Sequence, residues 1–228
     1  MNCLITGATG GIGKSICNSL KDISRNFYLV ATNEKKLIQL KSHIESSSQA
    51  KVTCFVCDFK SSKDLSELIK SIESLSIDVL INSAGIFDPK PIKDVNFNEF
   101  NDYINVNLKA PYFLMKSFQK EINKSGIIIN IGSSSSYAGF SDNSMYCLTK
   151  HAILGASRSL FEEFKKENIR VYCISPSGTK TNMGEKIQGQ DYNTFLNPKE
   201  ISNFIRYIID NSDSNMIMNE VFLKRYYN

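Results

Sequence analysis

Tryptophan is absent from this 228-residue sequence, prolines number five, and no apolar run is long enough to cross a membrane. The longest aliphatic stretch, residues 127–131, is far short of the roughly 18 apolar residues that a transmembrane helix needs, so no membrane association is expected. Glycines interrupt the first apolar segment and no basic residue precedes it, which argues against a secretory signal and predicts a cytoplasmic protein.

An excess of charge of either sign is also missing. The 27 lysines and arginines against 23 aspartates and glutamates leave a net charge of +4, and the basic residues form no stripe of the kind that nucleic-acid-binding proteins carry. Hydrophobic residues make up 42% of the chain and charged residues 22%, which excludes disordered, collagen-like and coiled-coil proteins. We therefore expect a soluble globular protein that binds no nucleic acid.

Metal ligands are few, with six cysteines and two histidines in the whole chain. Cys54 and Cys57 have the spacing of a redox motif, but they fall in an apolar run that reads as a buried strand rather than as a loop opening a helix. Without a second cysteine pair a zinc site has too few ligands. We expect structural thiols and no metal.

Short aliphatic runs alternate with amphipathic segments of ten or more residues along the entire chain. Strands are predicted at residues 2–6, 27–32, 52–57, 77–82, 127–133, 171–175 and 221–224. Helices are predicted at residues 11–23, 34–45, 64–74, 98–123, 144–168 and 198–210. This alternation predicts a single-domain α/β Rossmann fold over residues 1–228, a doubly wound parallel sheet of about seven strands with helices on both faces. Ligands then bind at the carboxyl edge of the sheet.

A glycine-rich turn, Thr6-Gly7-Ala8-Thr9-Gly10-Gly11-Ile12-Gly13, joins the first strand to the first helix. Gly7 permits a tight turn, Gly11 lets backbone N–H groups approach a pyrophosphate, and Gly13 allows close packing of helix and strand. The unpaired N–H groups and the positive dipole end of the helix would then bind the anion. The position of this turn at the start of a doubly wound pattern favours a dinucleotide site over an ordinary loop.

Further nucleotide contacts are expected at the ends of later strands. Asp58, followed by Phe59, comes after the third strand, where a carboxylate could accept from an adenine amino group or could cap the next helix. Asn82, Ala84 and Gly85 follow the fourth strand. Small residues there let the backbone run beside a ribose, and Asn82 can tie neighbouring strands together.

The end of the second strand distinguishes the two nicotinamide cofactors. A carboxylate there usually holds a ribose 2′-hydroxyl, whereas this chain has Thr32 and Asn33, which can donate to a 2′-phosphate. Glu34, a carboxylate next to Asn33, argues instead for a 2′-hydroxyl and so for NAD. The nearby cations that could neutralise the phosphate are Lys14, Lys35 and Lys36. NADP is therefore predicted in preference to NAD.

Tyr146 and Lys150 are four residues apart on a predicted helix, which brings them to one face. A phenol with a pKa of about 10 is a poor acid–base catalyst at neutral pH, and a neighbouring ammonium is expected to lower that pKa. Ser133, at the end of the fifth strand, precedes Tyr146 by 13 residues and could join it in holding a carbonyl oxygen. Asn107 is a polar residue where the helix pattern expects an apolar one.

At these positions the sequence resembles the short-chain dehydrogenases/reductases, over essentially its whole length. The motifs that carry the resemblance are Thr6–Gly13, Asn82–Gly85, Asn107, Ser133 with Tyr146 and Lys150, and Pro176 to Thr181. The sequence departs from the family at Ser83, at Ser177 with a delayed Gly178, and at Gly10, where a cation is common. Within the family it is most similar to 3-oxoacyl-acyl-carrier-protein reductases.

The resemblance implies an NAD(P)-dependent enzyme that moves a hydride between a nicotinamide and a carbonyl or secondary alcohol, with 3-oxoacyl thioesters as one candidate substrate. It assigns Tyr146 as the proton donor or acceptor, Ser133 as the group that orients the substrate oxygen, and Lys150 as a ribose ligand that lowers the tyrosine pKa. Asn107 would position a proton-relaying water. The residues expected to contact the cofactor are Gly7, Thr9, Gly11, Ile12, Gly13, Thr32, Asn33, Asp58, Phe59, Asn82, Ala84, Gly85, Tyr146, Lys150, Pro176, Thr179 and Thr181. The alternative is a non-catalytic NADP-binding regulatory protein on the same scaffold.

Residues 182–197 are predicted to form a short polar substrate lid that suits a small ketone or a slender acyl chain. An acidic carrier protein would need basic residues near the cleft, and the candidates are Lys120, Lys124, Lys165, Lys166 and Arg170. A homodimer or homotetramer is expected by resemblance. The apolar helix positions that could form its interface, or simply pack in the core, are Phe113, Phe118, Leu160 and Phe164.

Overall fold

The protein folds around one sheet of seven parallel strands in the order 3-2-1-4-5-6-7. The computed structural model describes residues 1–121 and 126–226. The strands are β1 (Asn2–Thr6), β2 (Asn26–Ala31), β3 (Lys51–Val56), β4 (Val79–Asn82), β5 (Gly126–Ile131), β6 (Ile169–Pro176) and β7 (Glu220–Leu223). Strand order reverses direction between β1 and β4, which opens a crevice at their carboxyl ends. The predicted doubly wound fold is confirmed.

Seven α-helices connect the described strands and cover both faces of the sheet. They are α1 (Gly11–Leu20), α2 (Glu34–Ser47), α3 (Ser62–Ile72), α4 (Phe97–Ile104), α5 (Ala110–Glu121), α6 (Ser144–Phe164) and α7 (Pro198–Asp210). Several begin at side-chain caps that the sequence supplies: Ser61 accepts the Asp64 N–H at the start of α3, and Asn197 forms a capping box with Glu200 at the start of α7. These caps fix where each helix leaves the loop before it.

One predicted helix is wrong in its continuity. The pattern over residues 98–123 indicates a single helix, but α4 and α5 are separated by a π-helical turn at Asn105–Lys109. The Ala110 N–H donates to the Asn105 carbonyl, five residues back, so one extra residue is inserted at this point. Residues 122–123 of the prediction lie outside the described residues.

The core consists of two apolar layers, one on each face of the sheet. Neighbouring residues in a strand point to opposite layers, so Ile5 packs with the helices of one face and Leu4 with those of the other. Strands buried on both faces explain the nearly continuous aliphatic runs in the sequence. Phe118 and Phe164 are buried in the second layer and Leu160 packs partly buried against it, which is the core-packing alternative, whereas Phe113 is exposed.

The cysteines are free thiols. Burial raises the pKa of Cys3 and of Cys57 to about 12, which keeps both sulfurs in the unreactive thiol form. Across residues 1–121 and 126–226, no helix combines the length and the hydropathy that a membrane span requires.

Candidate active site

A cleft of about 1210 Å³ runs along the carboxyl edge of the sheet. It begins at the glycine-rich turn after β1, passes the ends of β4 and β5, and finishes between the segment after β6 and the end of β7. Nearly all of the residues predicted to contact a cofactor line it, and the three that do not are Asp58, Phe59 and Asn82. Ser133 also lines this cleft.

The glycine-rich turn forms one end of the cleft. Gly7 has a positive φ of 63°, and a Cβ on it would lie 2.7 Å from the Ala84 backbone, so a side chain here would collide with the loop after β4. A Cβ on Gly13 would lie 2.3 Å from the Gly7 carbonyl oxygen, as expected for close helix–strand packing. Gly10 gives α1 no side-chain cap, so its first N–H groups can bind an anion. The turn therefore fits a dinucleotide pyrophosphate.

The three predicted residues outside the cleft have other contacts. Asp58 accepts the Lys60 N–H at 3.0 Å, and since Ser61 caps α3, the alternative reading of Asp58 as the helix cap is wrong. Phe59 is buried in the core. Asn82 donates to the Asn130 side chain at 2.8 Å, which confirms that it ties β4 to β5.

The end of β2 presents polar and cationic groups to the cleft. Thr32, Asn33 and Lys36 line it, while Lys14, Lys35 and Glu34 are not among the lining residues. The Asn33 side chain accepts the Lys36 N–H at 2.9 Å and so caps α2. This cap orients the first turn of α2 with Lys36 toward the cleft. Of Lys14, Lys35 and Lys36, it is therefore Lys36 that is in position to neutralise a 2′-phosphate in the cleft.

Ser133 and Tyr146 meet at the centre of the cleft. Ser133 lies two residues beyond β5, where its Oγ accepts the Ser135 N–H at 3.1 Å and its own N–H donates to Ser136 Oγ at 3.2 Å. These bonds hold the Ser133 side chain in one orientation. Tyr146 lies in the first turn of α6, and its hydroxyl is near enough to that of Ser133 for the serine to act on the pKa of the phenol. The 13-residue spacing therefore brings the two hydroxyls together.

The pKa of Tyr146 is not lowered, contrary to the expectation from the sequence. Burial raises the pKa of Tyr146 to about 12, and the hydrogen bond with Ser133 offsets only part of that rise. The Lys150 ammonium lies 5.5 Å from the centre of the Tyr146 ring. Desolvation dominates because the phenolate is the charged form and burial removes water from it. The hydroxyl is fully protonated at neutral pH.

Lys150 is buried with only 6% of its surface exposed, and its Nζ donates to the Ile131 carbonyl at 2.7 Å. Burial lowers the pKa of Lys150 to about 8. A Cβ on Gly85 would lie 4.0 Å from this ammonium, so the loop after β4 passes directly beside it. The ammonium is a hydrogen-bond donor held at a fixed point on the cleft floor.

We expect the lowered lysine pKa to appear in the pH dependence of stability. Between the folded pKa of about 8 and the ordinary value of 10.5, the unfolded state binds more protons than the folded one, so the stability of the native enzyme rises with pH. Chemical denaturation of the wild type and of Lys150→Met should show the wild type gaining about 2 kcal/mol on the variant between about pH 7 and 9.5. If the unfolding free energies of the wild type and of Lys150→Met changed in parallel with pH, the lowered pKa of Lys150 would be contradicted.

Asn107 lies in the π-helical turn and uses both ends of its amide. Its Oδ1 accepts the Ile86 N–H at 2.8 Å, and its Nδ2 donates to the Ile86 carbonyl at 3.0 Å and to Thr149 Oγ1 at 3.3 Å. The side chain thus fastens the loop after β4 to α6, on the turn of α6 that carries Lys150. The arrangement makes Asn107 a positioning residue for the neighbouring lysine.

Some cleft residues were not singled out from the sequence. The Phe87 ring packs edge-on against Tyr146, with 4.8 Å between ring centres, and Phe222, Lys224 and Arg225 of the C-terminal segment also line the cleft. Phe87 could have been predicted from the sequence, because it follows the Asn82–Gly85 motif by two residues. Nothing in the local pattern marks the other three, because their position depends on β7 pairing with β6.

Residues of the predicted lid, residues 182–197, form part of the cleft lining. The segment contains short 3-10 turns at Gly184–Lys186 and Tyr192–Thr194. Met183, Ile187 and Gln190 line the cleft, and Phe195, in the same segment, is buried. Phe195 therefore anchors the segment to the protein interior.

Of the basic residues proposed for carrier recognition, Lys165, Lys166 and Arg170 are not beside the cleft. Lys165 and Lys166 follow the far end of α6, about 28 Å along the helix from Tyr146, and Arg170 lies at the amino end of β6. Lys120 is in the last turn of α5, at the same edge of the sheet, and Lys124 lies outside the described residues. The basic residues that line the cleft are Lys36, Lys150, Lys186, Lys224 and Arg225.

Comparison with known proteins agrees with this geometry. Residues 1–191 match the family model described as short chain dehydrogenase. A 3-oxoacyl-[acyl-carrier-protein] reductase FabG from Buchnera aphidicola is 32% identical over 196 residues, covering 84% of this chain and 79% of the relative. The corresponding reductase from Rickettsia bellii is 28% identical over 222 residues, covering 92% and 90%.

The fold is shared with solved structures. An alcohol dehydrogenase from the archaeon Thermococcus sibiricus, complexed with 5-hydroxy-NADP, superposes with a TM-score of 0.89 at 22% identity, over 100% of this chain and 97% of that one. This level of identity supports the common architecture, while the family assignment depends on the sequence model.

Proposed function

Since the chain belongs to the short-chain dehydrogenase/reductase family of NAD(P)-dependent oxidoreductases, we propose that it reduces the ketone of 3-oxoacyl thioesters with NADPH. The observation that carries this proposal is that the Ser133 and Tyr146 hydroxyls share the cleft that starts at the glycine-rich turn, close enough for Ser133 to lower the pKa of Tyr146. A pair of hydroxyls beside a dinucleotide site is suited to donate hydrogen bonds to a carbonyl oxygen.

The cofactor would be held at several points along the cleft. The N–H groups at the start of α1 would bind its pyrophosphate, Thr32 and Asn33 its adenine ribose, and Lys150 the nicotinamide ribose. When bound, the nicotinamide supplies the hydride, and the protein supplies orientation and electrostatics. Thr179 and Thr181 line the cleft after β6, where they are suited to contact the nicotinamide carboxamide and the pyrophosphate.

Tyr146 would donate its hydroxyl proton to the ketone oxygen as that oxygen gains negative charge. Its raised pKa of about 12 keeps the proton in place until then. Ser133 would donate a hydrogen bond to the same oxygen and stabilise the developing charge. Lys150 would stabilise the phenolate that remains, and Asn107 would keep the Lys150 turn against the loop after β4.

Lys36 supports the choice of NADPH over NADH because it is the cation at the end of β2 that faces the cleft. We expect Lys36→Ala to weaken NADPH binding by about tenfold and to leave NADH binding within about twofold, since one charge-assisted hydrogen bond to the 2′-phosphate is lost. Fluorescence titration with each nucleotide measures both constants. Lys35→Ala, next to it but not lining the cleft, is the matched control, and equal losses for both nucleotides would refute the phosphate contact.

Apolar side chains form part of the cleft wall. Phe87 packs against Tyr146, and Phe140, Met183 and Ile187 also line the cleft. Such walls suit an aliphatic chain on one side of a ketone. Because Lys165, Lys166 and Arg170 lie at the other edge of the sheet, free thioesters are proposed as substrates in their own right.

The proposed reaction can be tested on the purified protein with NADPH and a series from acetoacetyl to 3-oxodecanoyl thioesters, beside cyclic and aryl ketones. We expect loss of NADPH absorbance with the thioesters, with kcat/KM at least about tenfold above that for the bulky ketones. The matched series with NADH tests the cofactor. Faster reduction of the aryl ketones would overturn the thioester assignment.

A non-catalytic NADP-binding regulatory protein is the competing function. A protein that only senses a nucleotide has no need of the Ser133–Tyr146 pair or of a buried Lys150. Tight NADPH binding without turnover of any carbonyl in the panel would favour it. We also propose that residues 1–228 form one domain and that the protein is a homodimer or homotetramer. Light scattering of the purified protein measures the mass of the assembly and so tests its oligomeric state.

A further inference from the structure

The segment after β7 returns to the substrate lid and is fastened to it by Arg225. The guanidinium Nη1 donates to Thr194 Oγ1 at 3.1 Å, and Nη2 donates to the Gln190 side chain. The Arg225 backbone N–H donates to Ser177 Oγ at 3.0 Å. One residue near the end of the chain thus contacts the lid and the loop after β6 together.

The same guanidinium lies over the Phe195 ring, 4.7 Å from its centre. Phe195 is 4% exposed, and a Cβ on Gly178 would lie 3.1 Å from its ring. Gly178, a departure from the family pattern, is therefore the residue that makes room for Phe195. The stack runs from Arg225 through Phe195 to the backbone of the cleft wall, and a partly buried cation over an aromatic ring is a stabilising contact.

The tip of the lid is held differently. Lys186 donates to Asp88 at 3.1 Å across the cleft mouth, with side-chain exposures of 50% and 67%. An exposed ion pair of this kind contributes little to stability and is screened by salt. The two attachments of the lid therefore differ in strength, and the weaker one is at the tip.

We propose that Arg225 is a positioning residue for the reaction, which holds residues 190–196 of the lid against the cleft wall while the tip around Lys186 opens and closes. Arginine is suited to this because its planar fork bonds Gln190 and Thr194 while its face stacks on Phe195. The consequence for catalysis rests on the proposed carbonyl reduction, whereas the consequence for the lid does not.

Hydrogen–deuterium exchange on the full-length protein without substrate tests the lid directly. In the wild type, residues 190–196 should exchange at least about tenfold more slowly than the tip at residues 185–189. Arg225→Ala should remove most of that difference, and Arg225→Lys should do the same because it keeps the charge but loses the fork and the stack. Unchanged exchange in β1 and β5 verifies that the variants are folded.

Lys224→Ala is the matched control for the exchange experiment. Lys224 is the adjacent cation, lines the cleft and lies over Phe222 rather than Phe195. Residues 190–196 should keep their slow exchange in this variant. Slow exchange in Arg225→Ala, or fast exchange in Lys224→Ala, would overturn the proposal.

Steady-state kinetics provide the second test. If Arg225→Ala reduces the closed fraction of the lid, KM for the ketone should rise about tenfold while kcat stays within about twofold, since apparent affinity scales with the competent fraction. If Arg225→Lys restores the wild-type KM, Arg225 acts by its charge on the substrate and not through the lid. Absence of turnover in the wild type would refute the proposed reduction. The exchange experiment would then still test whether Arg225 holds residues 190–196 against the cleft wall.

Discussion

Tyr146→Phe is expected to lower kcat for ketone reduction by about 10³-fold and to leave the dissociation constant of NADPH within about twofold. Removal of a positioned general acid typically costs 10²–10⁴-fold, and here the hydroxyl that is lost shares the cleft with Ser133 and is protonated at neutral pH. Single-turnover loss of NADPH absorbance measures the chemical step, and fluorescence titration measures binding.

Tyr172→Phe is the matched control for this variant. Tyr172 is a buried tyrosine on β6 whose pKa is also raised by burial, but it does not line the cleft. It should retain kcat within about threefold, since a hydroxyl away from the reacting atoms contributes through stability alone. Retention of full activity by Tyr146→Phe would remove Tyr146 as the acid and with it the proposed reaction.

Ser133→Ala should lower kcat by about 10²-fold, because the loss of one donor to a developing oxyanion typically costs 10²–10³-fold. The Ser133 backbone N–H would keep its bond to Ser136 Oγ, so the loop should keep its shape. Rates with saturating NADPH and a single thioester give the comparison. Unlike Tyr146→Phe, this variant keeps the proton donor, so residual activity should be higher.

The neighbouring serines make the Ser133 prediction sharp. Ser134 also lines the cleft, but it is not a hydrogen-bond partner of Tyr146 among the contacts of the described residues. Ser134→Ala should therefore lose far less activity than Ser133→Ala. The reverse order would mean that the 13-residue spacing selects the wrong hydroxyl.

The sheet and its cleft were predictable from the sequence because they depend on local patterns. Aliphatic runs bounded by turns gave the strands, and the glycines between Thr6 and Gly13 gave the anion site. Residues at the carboxyl ends of parallel strands must share one edge, so Ser133 and Tyr146 could be brought together without coordinates. The bounds of α7, Pro198–Asp210, were also predicted, since a capping asparagine and a proline mark its start.

The remaining features depend on tertiary packing. The π-helical turn at Asn105–Lys109 inserts one residue into a helical pattern, which a period of three to four does not reveal. The raised pKa of Tyr146 depends on how much water the folded cleft removes, and sequence spacing gives only the nearby charge. Lys165 and Arg170 lie far from the cleft because Lys165 follows the far end of α6 and Arg170 lies at the amino end of β6, whereas the cleft lies at the carboxyl ends of the strands.

The cleft takes its first wall from residue 7 and its last from residue 225, which has a consequence for biosynthesis. A nascent chain on the ribosome exposes the pyrophosphate turn early, but the opposite wall forms only after β7 pairs with β6. Partly synthesised molecules thus carry an anion site without a reaction chamber. Oxidoreductase activity should therefore arise only after β7 has paired with β6, in one step rather than gradually with elongation.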